Sequence, residues 1–261
     1  MTCFCFLRIR DVVYYTYMTK PTKRNKEPLC DFNGVCRIPV EPGEDGQNVQ
    51  IRSMNDISWR IFRIMGEFVQ GFQFLSNFNN EISIFGAVRL KPGTHWYDEC
   101  ERFAYMCSKD GFTIVTGGGP GIMEAGNKGA FKAGGESLGI NIQLPFEQRI
   151  NPYVKKSMAF HYFFTRKVML AASAQVYVFF PGGFGTADEF FEMLTLVQTK
   201  KVASVPIICV GKEFWSLCKT WMEKMYEMGT IAKDDINLVS FVDTAEEAFA
   251  IAKKSKERSF F

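Results

Sequence analysis

The sequence has little of what most metal sites and nucleic-acid binders need. It contains two histidines in 261 residues, and its eight cysteines form no C-x-x-C pair, so we expect no metal ion. The 31 basic residues are nearly balanced by 28 acidic ones, which leaves a formal charge of +3. So small a net charge does not give the broad positive field that nucleic-acid binders show. We therefore expect no nucleic-acid partner.

Long uncharged hydrophobic runs are also missing. The apolar first eighteen residues come closest, but Arg8, Arg10 and Asp11 interrupt them before a signal peptide or a membrane span can form. The cysteines are scattered, and most stand in apolar runs, which is typical of reduced core residues and not of a disulfide framework. The sequence thus predicts a cytoplasmic protein with no membrane segment.

The chain divides into three regions by pattern. Residues 1–52 mix prolines, glycines and charges without a helical or strand period, which predicts a flexible N-terminal arm. The basic excess of its first 28 residues raises the possibility of a contact surface, but a solvated tail is the favoured interpretation. Residues 53–79 repeat large apolar residues every three or four positions, which predicts an amphipathic helix packed on the main domain. Residues 80–261 are expected to form that domain.

Short β-rich runs alternate with helical stretches through the main domain. This order predicts an α/β fold with a doubly wound parallel sheet and helices on both faces. We expect strands near 82–86, 112–116, 138–142, 175–180, 205–210 and 238–242. We expect helices near 94–109, 121–133, 165–173, 186–199, 212–228 and 244–254. Thr94, Thr186 and Thr244 are placed to begin helices, and Glu247 completes a capping box with Thr244.

Unusual segments follow three of the predicted strands. They are GAVR at 86–89, GGGPGIME at 117–124 and PGGFGTADE at 181–189. Ligands bind outside the carboxyl ends of parallel strands, so these segments should converge on one edge of the sheet. We interpret them as one site.

The 181–189 segment has the pattern of an anion site. Gly182, Gly183 and Gly185 stand between an apolar strand and an amphipathic helix, where bare N–H groups can approach a phosphate. Thr186 can cap the helix and add a hydroxyl to the anion. The alternative is a tight turn that needs glycine for positive φ.

The 117–124 segment is a second glycine-rich turn, in which Gly118, Gly119 and Glu124 face the same edge. It does not fit the dinucleotide-binding fingerprint G-x-G-x-x-G. A match that starts at Gly117 would need glycine at Ile122, and one that starts at Gly119 would need glycine at Glu124. A phosphate-binding P-loop would need lysine where Asn127 stands. Neither NAD nor ATP chemistry is favoured.

Charged residues end the 181–189 segment and also precede it in the chain. Glu189 follows the glycines, and Arg166 and Lys167 open the preceding helix just before a strongly apolar stretch. Such pairs are usually solvated, but a surface pair is less expected beside so apolar a run. A carboxylate and a cation beside a bound phosphate suit glycosidic cleavage, since the carboxylate stabilises an oxocarbenium-like sugar.

These motifs carry a family resemblance. PGGFGTADE fits the P-G-G-x-G-T-x-x-E signature of the LOG (Lonely Guy) family, long labelled "possible lysine decarboxylase", and Arg166-Lys167 fits its Arg-Lys pair. The segments GGGPGIMEAGNKGA and NIQLPFEQ are similar to the bacterial branch of the family. The resemblance covers roughly residues 80–255.

The resemblance implies a homodimer of Rossmann-like fold that needs no cofactor. It would release base and ribose 5-phosphate from nucleoside 5'-monophosphates such as AMP or cytokinin nucleotides, with Arg166 and Glu189 as the catalytic pair. Substrate-binding positions implied by the family are Lys167, Gly183, Phe184, Gly185, Thr186, Ala187, Asp188, Thr195 and Glu147. Gly182, Gly118, Gly119 and Glu124 join them through their place in the glycine-rich turns.

Two departures from the plant-type pattern bear on the base. Phe163-Phe164 replaces a Met-His pair, and Gly86-Ala87 replaces a common Gly-Ser. We therefore expect AMP or a related purine nucleotide, and leave the preferred base open. The alternatives are a non-catalytic nucleotide sensor and, less favoured, a decarboxylase with pyridoxal phosphate on a lysine.

Overall fold

A computed structural model of the protein describes residues 54–143 and 150–257, with side chains from residue 57 onward. The predicted arm at 1–52 and the predicted site residue Glu147 lie outside the described residues.

A seven-stranded, wholly parallel sheet forms the centre of the fold, in the order β4-β3-β2-β1-β5-β6-β7. Its strands are β1 Glu81–Phe85, β2 Thr113–Thr116, β3 Ser137–Ile142, β4 Lys156–Phe160, β5 Val176–Phe179, β6 Ile207–Val210 and β7 Val239–Val242. The chain runs outward from β1 to β4 and then returns to place β5 on the other side of β1. The topological switch point therefore lies between β1 and β5.

Helices cover both faces, so the predicted Rossmann-like α/β fold is confirmed. The helices are α1 Met54–Leu75, α2 His95–Lys109, α3 Ile122–Ala133, α4 Phe163–Ala172, α5 Phe184–Gln198, α6 Lys212–Glu227 and α7 Ala245–Ala252, with a 3-10 helix at Lys233–Leu238. Residues of α2, α3 and α7 fill the core on one face. Residues of α1, α4, α5 and α6 fill the core on the other.

The central strands are buried on both faces, which explains their continuous apolar runs. All five residues of β1 and all four of β5 are buried. Every strand predicted from sequence has a counterpart, whereas β4 was missed. Its sequence KSMAF begins with exposed residues and pairs with β3 alone, so a half-exposed edge strand left no apolar run to detect.

Of the three threonines predicted at helix starts, one caps its helix and two do not. Thr244 caps α7 by accepting from the N–H of Glu247 at 3.2 Å, but the Glu247 carboxylate accepts from Asp243 and not from Thr244. Thr94 precedes α2, yet its hydroxyl donates to the Lys91 carbonyl. The prediction for Thr186 was wrong: α5 begins at Phe184, so Thr186 lies inside the first turn.

Helix α1 lies where the sequence predicts an amphipathic helix. Its second half packs on the core through Phe68, Phe72 and Leu75, and it contacts α4 and β4. Ile61, predicted on the same face, is half-exposed. Among the described residues no helix is both long and apolar enough to cross a membrane.

Candidate functional site

The three segments after β1, β2 and β5 meet at the carboxyl edge of the sheet, as predicted. The N–H of Ala87 donates to the carbonyl of Pro181 at 3.0 Å, and the N–H of Ile122 donates to the carbonyl of Ala87 at the same distance. The segment after β1 therefore bridges the other two. This junction is the switch point, where open parallel sheets bind ligands.

Residues 181–185, here called the PGG turn, end at the exposed start of α5. Gly183 is the N-cap residue, no side chain caps the helix, and Gly183, Phe184 and Gly185 are exposed. A Cβ added at Gly183 or Gly185 would meet no protein atom within 4 Å. The first N–H groups of a helix lack intrahelical partners, so these groups face open space that suits an anion.

Close approach, and not positive φ, explains the glycine at position 182. None of the three glycines of the PGG turn has a positive φ, so that alternative interpretation was wrong. A Cβ at Gly182 would lie 2.5 Å from the Cβ of Thr186. The buried side chain of Thr186 thus packs against the turn from within α5 and does not cap the helix.

Residues 117–121, here called the GGG turn, use glycine differently. Gly118 and Gly121 both have φ of +72°, a conformation that side chains rarely adopt. A Cβ at Gly121 would lie 2.7 Å from the carbonyl oxygen of Val88. This turn is therefore locked against the segment that follows β1.

Buried polar side chains hold the GGG turn from below. The hydroxyl of Thr116 accepts from the N–H of Gly118 at 2.9 Å and donates to Asn127 Oδ1 at 2.6 Å. The amide of Asn151 donates to the carbonyls of Gly118 at 3.1 Å and Gly119 at 3.0 Å, and to Asn127 Oδ1 at 2.9 Å. This network was not predicted from the sequence. The feature that could have indicated it is the presence of uncharged polar residues among apolar ones.

Arg166 on α4 reaches the same edge. Its Nε donates to the carbonyl of Ile140 at 2.9 Å, at the end of β3. A Cβ at Gly117 would lie 2.5 Å from the guanidinium, so glycine there makes room for Arg166. Burial lowers the pKa of Arg166, while the negative charge of Glu189 raises it. The charges of the two predicted catalytic residues therefore act on each other across the site.

Glu189 is a buried carboxyl, one turn into α5. Burial and the negative charge of Glu192 raise its pKa from 4.5 to about 7, against the opposing effects of Lys167 and Arg166. A carboxyl that titrates near neutrality can exchange a proton during a reaction at physiological pH. Such a shift at the switch point marks a functional candidate.

Lys167 ties α4 to α5. Its Nζ lies 2.7 Å from Asp188 Oδ2 and 3.2 Å from Glu192 Oε2. Burial alone would lower the pKa of Lys167, but these carboxylates and Glu189 raise it. Lys167 is therefore held as a cation. Glu192 was not identified from the sequence, because neither the burial of its Oε2 nor its partner leaves a mark in a helical pattern.

Other predicted positions have local partners. Glu124 accepts from the hydroxyl of Tyr97 at 3.0 Å, and Thr195 is exposed with its hydroxyl bonded to the carbonyl of Phe191 at 2.7 Å. No described contact brings either residue to the Arg166–Glu189 pair, so their roles in binding stay predictions. Ala187 continues α5 by donating to the Gly183 carbonyl.

Exposed aromatic rings lie in the PGG turn and at the start of α4. Phe184 in the PGG turn is 97% exposed, and Phe163 and Phe164 at the start of α4 are 57% and 47% exposed. The Phe164 ring stacks on Tyr162, with the ring centres 5.4 Å apart. Phe163 and Phe184 therefore leave more ring surface open to a ligand than Phe164 does.

Asn141 at the end of β3 was not identified from sequence. It is buried, its amide lies beside Gly118, and its Oδ1 has no hydrogen-bond partner among the described residues. A buried acceptor without a partner is costly, which suggests a ligand donor at this point. The sequence feature that could have indicated Asn141 is a single amide in the otherwise apolar strand LGINI. The described residues contain no cluster of three side chains suited to a metal.

Fold and site together define a Rossmann-like α/β protein whose glycine-rich turns and Arg–Glu pair meet at the switch point of the sheet. Residues 123–252 match the model of the family described as possible lysine decarboxylase. An uncharacterized protein of Archaeoglobus fulgidus is 30% identical over 134 residues, which cover 50% of this chain and 84% of the relative. The chain belongs to the possible lysine decarboxylase family, that is, the LOG family.

Solved structures share the fold. The X-ray structure of TM1055, a structural-genomics target, is 25% identical with a TM-score of 0.51, covering 67% of this chain and 99% of that one. The molybdenum cofactor carrier protein of Chlamydomonas reinhardtii is 21% identical with a TM-score of 0.52, covering 68% and 98%. At this identity the carrier protein shows a common fold alone.

Proposed function

We propose that the protein hydrolyses the N-glycosidic bond of a nucleoside 5'-monophosphate, AMP or a cytokinin riboside monophosphate, to free base and ribose 5-phosphate. The observation that carries this proposal is the position of Glu189. It is a buried carboxyl with a raised pKa, one turn beyond the PGG turn and under the influence of Arg166.

The PGG turn supports a phosphate at one end of the substrate. Its N–H groups open onto free space at the start of a 15-residue helix, where a negative charge is favoured. A phosphate held there would lie beside the helix turn that carries Glu189. The ribose attached to that phosphate would then come within reach of the carboxyl.

Hydrolysis at this point needs a stabilised sugar cation and a proton acceptor. As the C1'–N bond breaks, its electron pair goes to the base nitrogen, and the ribose acquires oxocarbenium character. The Glu189 carboxylate stabilises that charge and accepts a proton from the water that adds its oxygen to C1'. The departing base nitrogen takes up one proton from solvent, and Glu189 releases its proton to solvent, so the atoms of one water molecule are divided between the two products.

Neighbouring residues orient the substrate. The guanidinium of Arg166 is fixed by the Ile140 carbonyl and lies against the GGG turn, which suits it to bind a ribose or base oxygen or nitrogen. Asn141 Oδ1 offers an acceptor to a substrate donor on the same edge. Phe163 and Phe164 offer aromatic faces and no imidazole, which favours an unmodified purine over a specifically prenylated one.

Decarboxylase chemistry is less well supported. A lysine that forms a Schiff base must first become a neutral amine. Lys167 instead lies between two carboxylates that raise its pKa. Ion pairing therefore works against that role for the lysine of the site.

The test is Glu189→Gln assayed with AMP. We expect adenine release to fall by at least about 1,000-fold while nucleotide affinity changes little, because the substitution removes the charge and keeps the shape. Glu223→Gln, on the exposed side of α6, is the matched control. Wild-type protein that binds nucleotides but releases no base would instead support the sensor alternative.

The base and the assembly are tested separately. A panel of nucleoside monophosphates that includes isopentenyl-AMP, assayed for ribose 5-phosphate, ranks the bases. The homodimer implied by the family is part of the proposal, and sedimentation equilibrium tests it. A protein that is monomeric at assay concentrations would contradict the proposed dimer but not the proposed reaction.

A further inference from the structure

Helix α4, which carries Arg166 and Lys167, begins without a cap of its own. Its N-cap residue is Tyr162, and no local side chain accepts from the first-turn N–H groups. The backbone that leads into the helix is held instead by a contact from α1, more than ninety residues earlier in the chain.

The carboxylate of Glu67 on α1 supplies it. Glu67 Oε1 accepts from the N–H of His161 at 2.7 Å, and Oε2 accepts from the N–H of Tyr162 at 3.4 Å and from the hydroxyl of Thr165. Thr165 is fully buried and is the residue before Arg166. A carboxylate at a helix N-terminus is favoured by the helix dipole, and its hydrogen bonds are charge-assisted.

Contacts on both sides of Glu67 fix α1 against α4. Two turns before it, the Arg60 guanidinium lies 5.5 Å from the centre of the Tyr162 ring. One turn after it, a Cβ at Gly71 would lie 2.8 Å from Met169 Cγ, so the helices pack backbone to side chain at that point. Glu67 therefore reaches α4 from a seated helix.

We propose that Glu67 is a positioning residue, which holds the first turn of α4 so that Arg166 meets the substrate in its productive place. This inference rests on the proposed function. Arg166 has one protein hydrogen bond among the described residues, from Nε to Ile140, so its guanidinium depends on the placement of its own helix turn. Displacements of about 1 Å in a catalytic group can reduce rates 100-fold.

The experiment compares Glu67→Ala with Glu67→Gln and with Gln70→Ala, an exposed residue of the same helix. For Glu67→Ala we expect kcat for AMP to fall about 10- to 100-fold with KM changed by less than about threefold, because the PGG turn is untouched. Glu67→Gln, which keeps one acceptor oxygen, should recover most of the rate. Gln70→Ala should match wild type.

A double-mutant cycle separates positioning from general stabilisation. In an Arg166→Ala background, Glu67→Ala should cause little further loss, because its effect passes through the missing guanidinium. Equal losses with and without Arg166, or a folded Glu67→Ala protein with kcat within about threefold of wild type, would overturn the inference. If Glu67→Ala does not fold, the same cycle is run with Glu67→Met, which keeps the length of the side chain and has no acceptor oxygen.

Hydrogen exchange gives a readout that does not depend on catalysis. Glu67→Ala should speed amide exchange across residues 161–167 and leave residues 183–189 unchanged, whereas Gln70→Ala should change neither segment. Wild-type protein that releases no base would contradict the proposed function. Unchanged amide exchange at residues 161–167 would separately contradict the proposed role of Glu67.

Discussion

The GGG turn and the PGG turn both follow a buried parallel strand, and both are rich in glycine. In the GGG turn, Gly118 and Gly121 have φ of +72° and Gly121 faces backbone atoms, so a side chain has no room. In the PGG turn, Gly183 and Gly185 have ordinary φ values and open space where a side chain would lie. One turn needs glycine to fold, and the other leaves room beside its N–H groups.

The difference extends to what surrounds each turn. Neutral amides and hydroxyls lie under the GGG turn in a hydrogen-bonded network around Asn127. Asn141 Oδ1, beside Gly118, is the exception and has no partner among the described residues. Charged side chains, including a carboxyl held at a raised pKa, follow the PGG turn. Satisfied buried networks add rigidity, whereas buried charge reduces stability and provides reactivity. We interpret the GGG turn as scaffold and the PGG turn as the reactive part.

The largest expected effect is that of Gly121→Ala. The new Cβ would meet the carbonyls of Ala87 and Val88 in a backbone conformation that alanine disfavours. We expect a loss of at least about 4 kcal/mol in the free energy of unfolding, measured by denaturant titration. A stable Gly121→Ala protein would contradict the assignment of the GGG turn as scaffold.

Asn127→Ala should come next. It removes the acceptor shared by Thr116 and Asn151 and the donor to Ser137, which leaves buried polar groups unpaired. We expect a loss of roughly 2 to 4 kcal/mol in stability. Asn237→Ala, at an exposed position, should stay within about 0.5 kcal/mol of wild type and serves as the control.

Glu189→Gln should increase stability while it abolishes activity. The folded-state pKa of Glu189 is about 7, above its ordinary 4.5, so the folded protein loses stability as pH rises between those values. Glutamine removes that loss, and we expect a gain of roughly 1 to 3 kcal/mol at about pH 8 and little change at about pH 4.5. An equal change at both pH values would mean that the charge of Glu189 is not the cause.

Gly185→Ala should separate stability from binding. Position 185 lies in the first turn of α5 and has room for a methyl group, so the fold should gain at most about 0.5 to 1 kcal/mol. The methyl group would occupy space beside the exposed N–H groups, and we expect KM for AMP to rise about 10-fold or more. Unchanged KM would exclude this turn from phosphate binding.

The smallest expected effect is a shift in the pH profile of Glu192→Gln. The charge of Glu192 raises the pKa of Glu189, so its removal should lower that pKa. The acidic limb of kcat/KM for AMP should therefore move to lower pH than in wild type. Glu223→Gln should leave the limb in place, and a limb that moves upward would contradict the assignment of Glu189 as proton acceptor.

Much of the fold was predictable because the apolar runs of the strands and the three-to-four-residue spacing of the helices were both clear in the sequence. Apolar runs marked the six strands with counterparts in the sheet, and β4 escaped because an edge strand with exposed residues has no such run. The site was predictable wherever chain order sufficed, as in the three segments after β1, β2 and β5. The partners of Arg166 and Glu189 were not, since Ile140 and Glu192 carry no local signal of their contacts.

The sequence alone determined the alternation of strands and helices, the position of the glycine-rich turns after strands, and the motifs of the family. These follow from local periodicity and from fixed spacing along the chain. Tertiary structure decided which glycine faces backbone and which faces open space, and it decided that a carboxylate from α1 binds the backbone that leads into α4. Burial and distance between remote residues set those outcomes, because desolvation and hydrogen bonding act across space and leave no period in the chain.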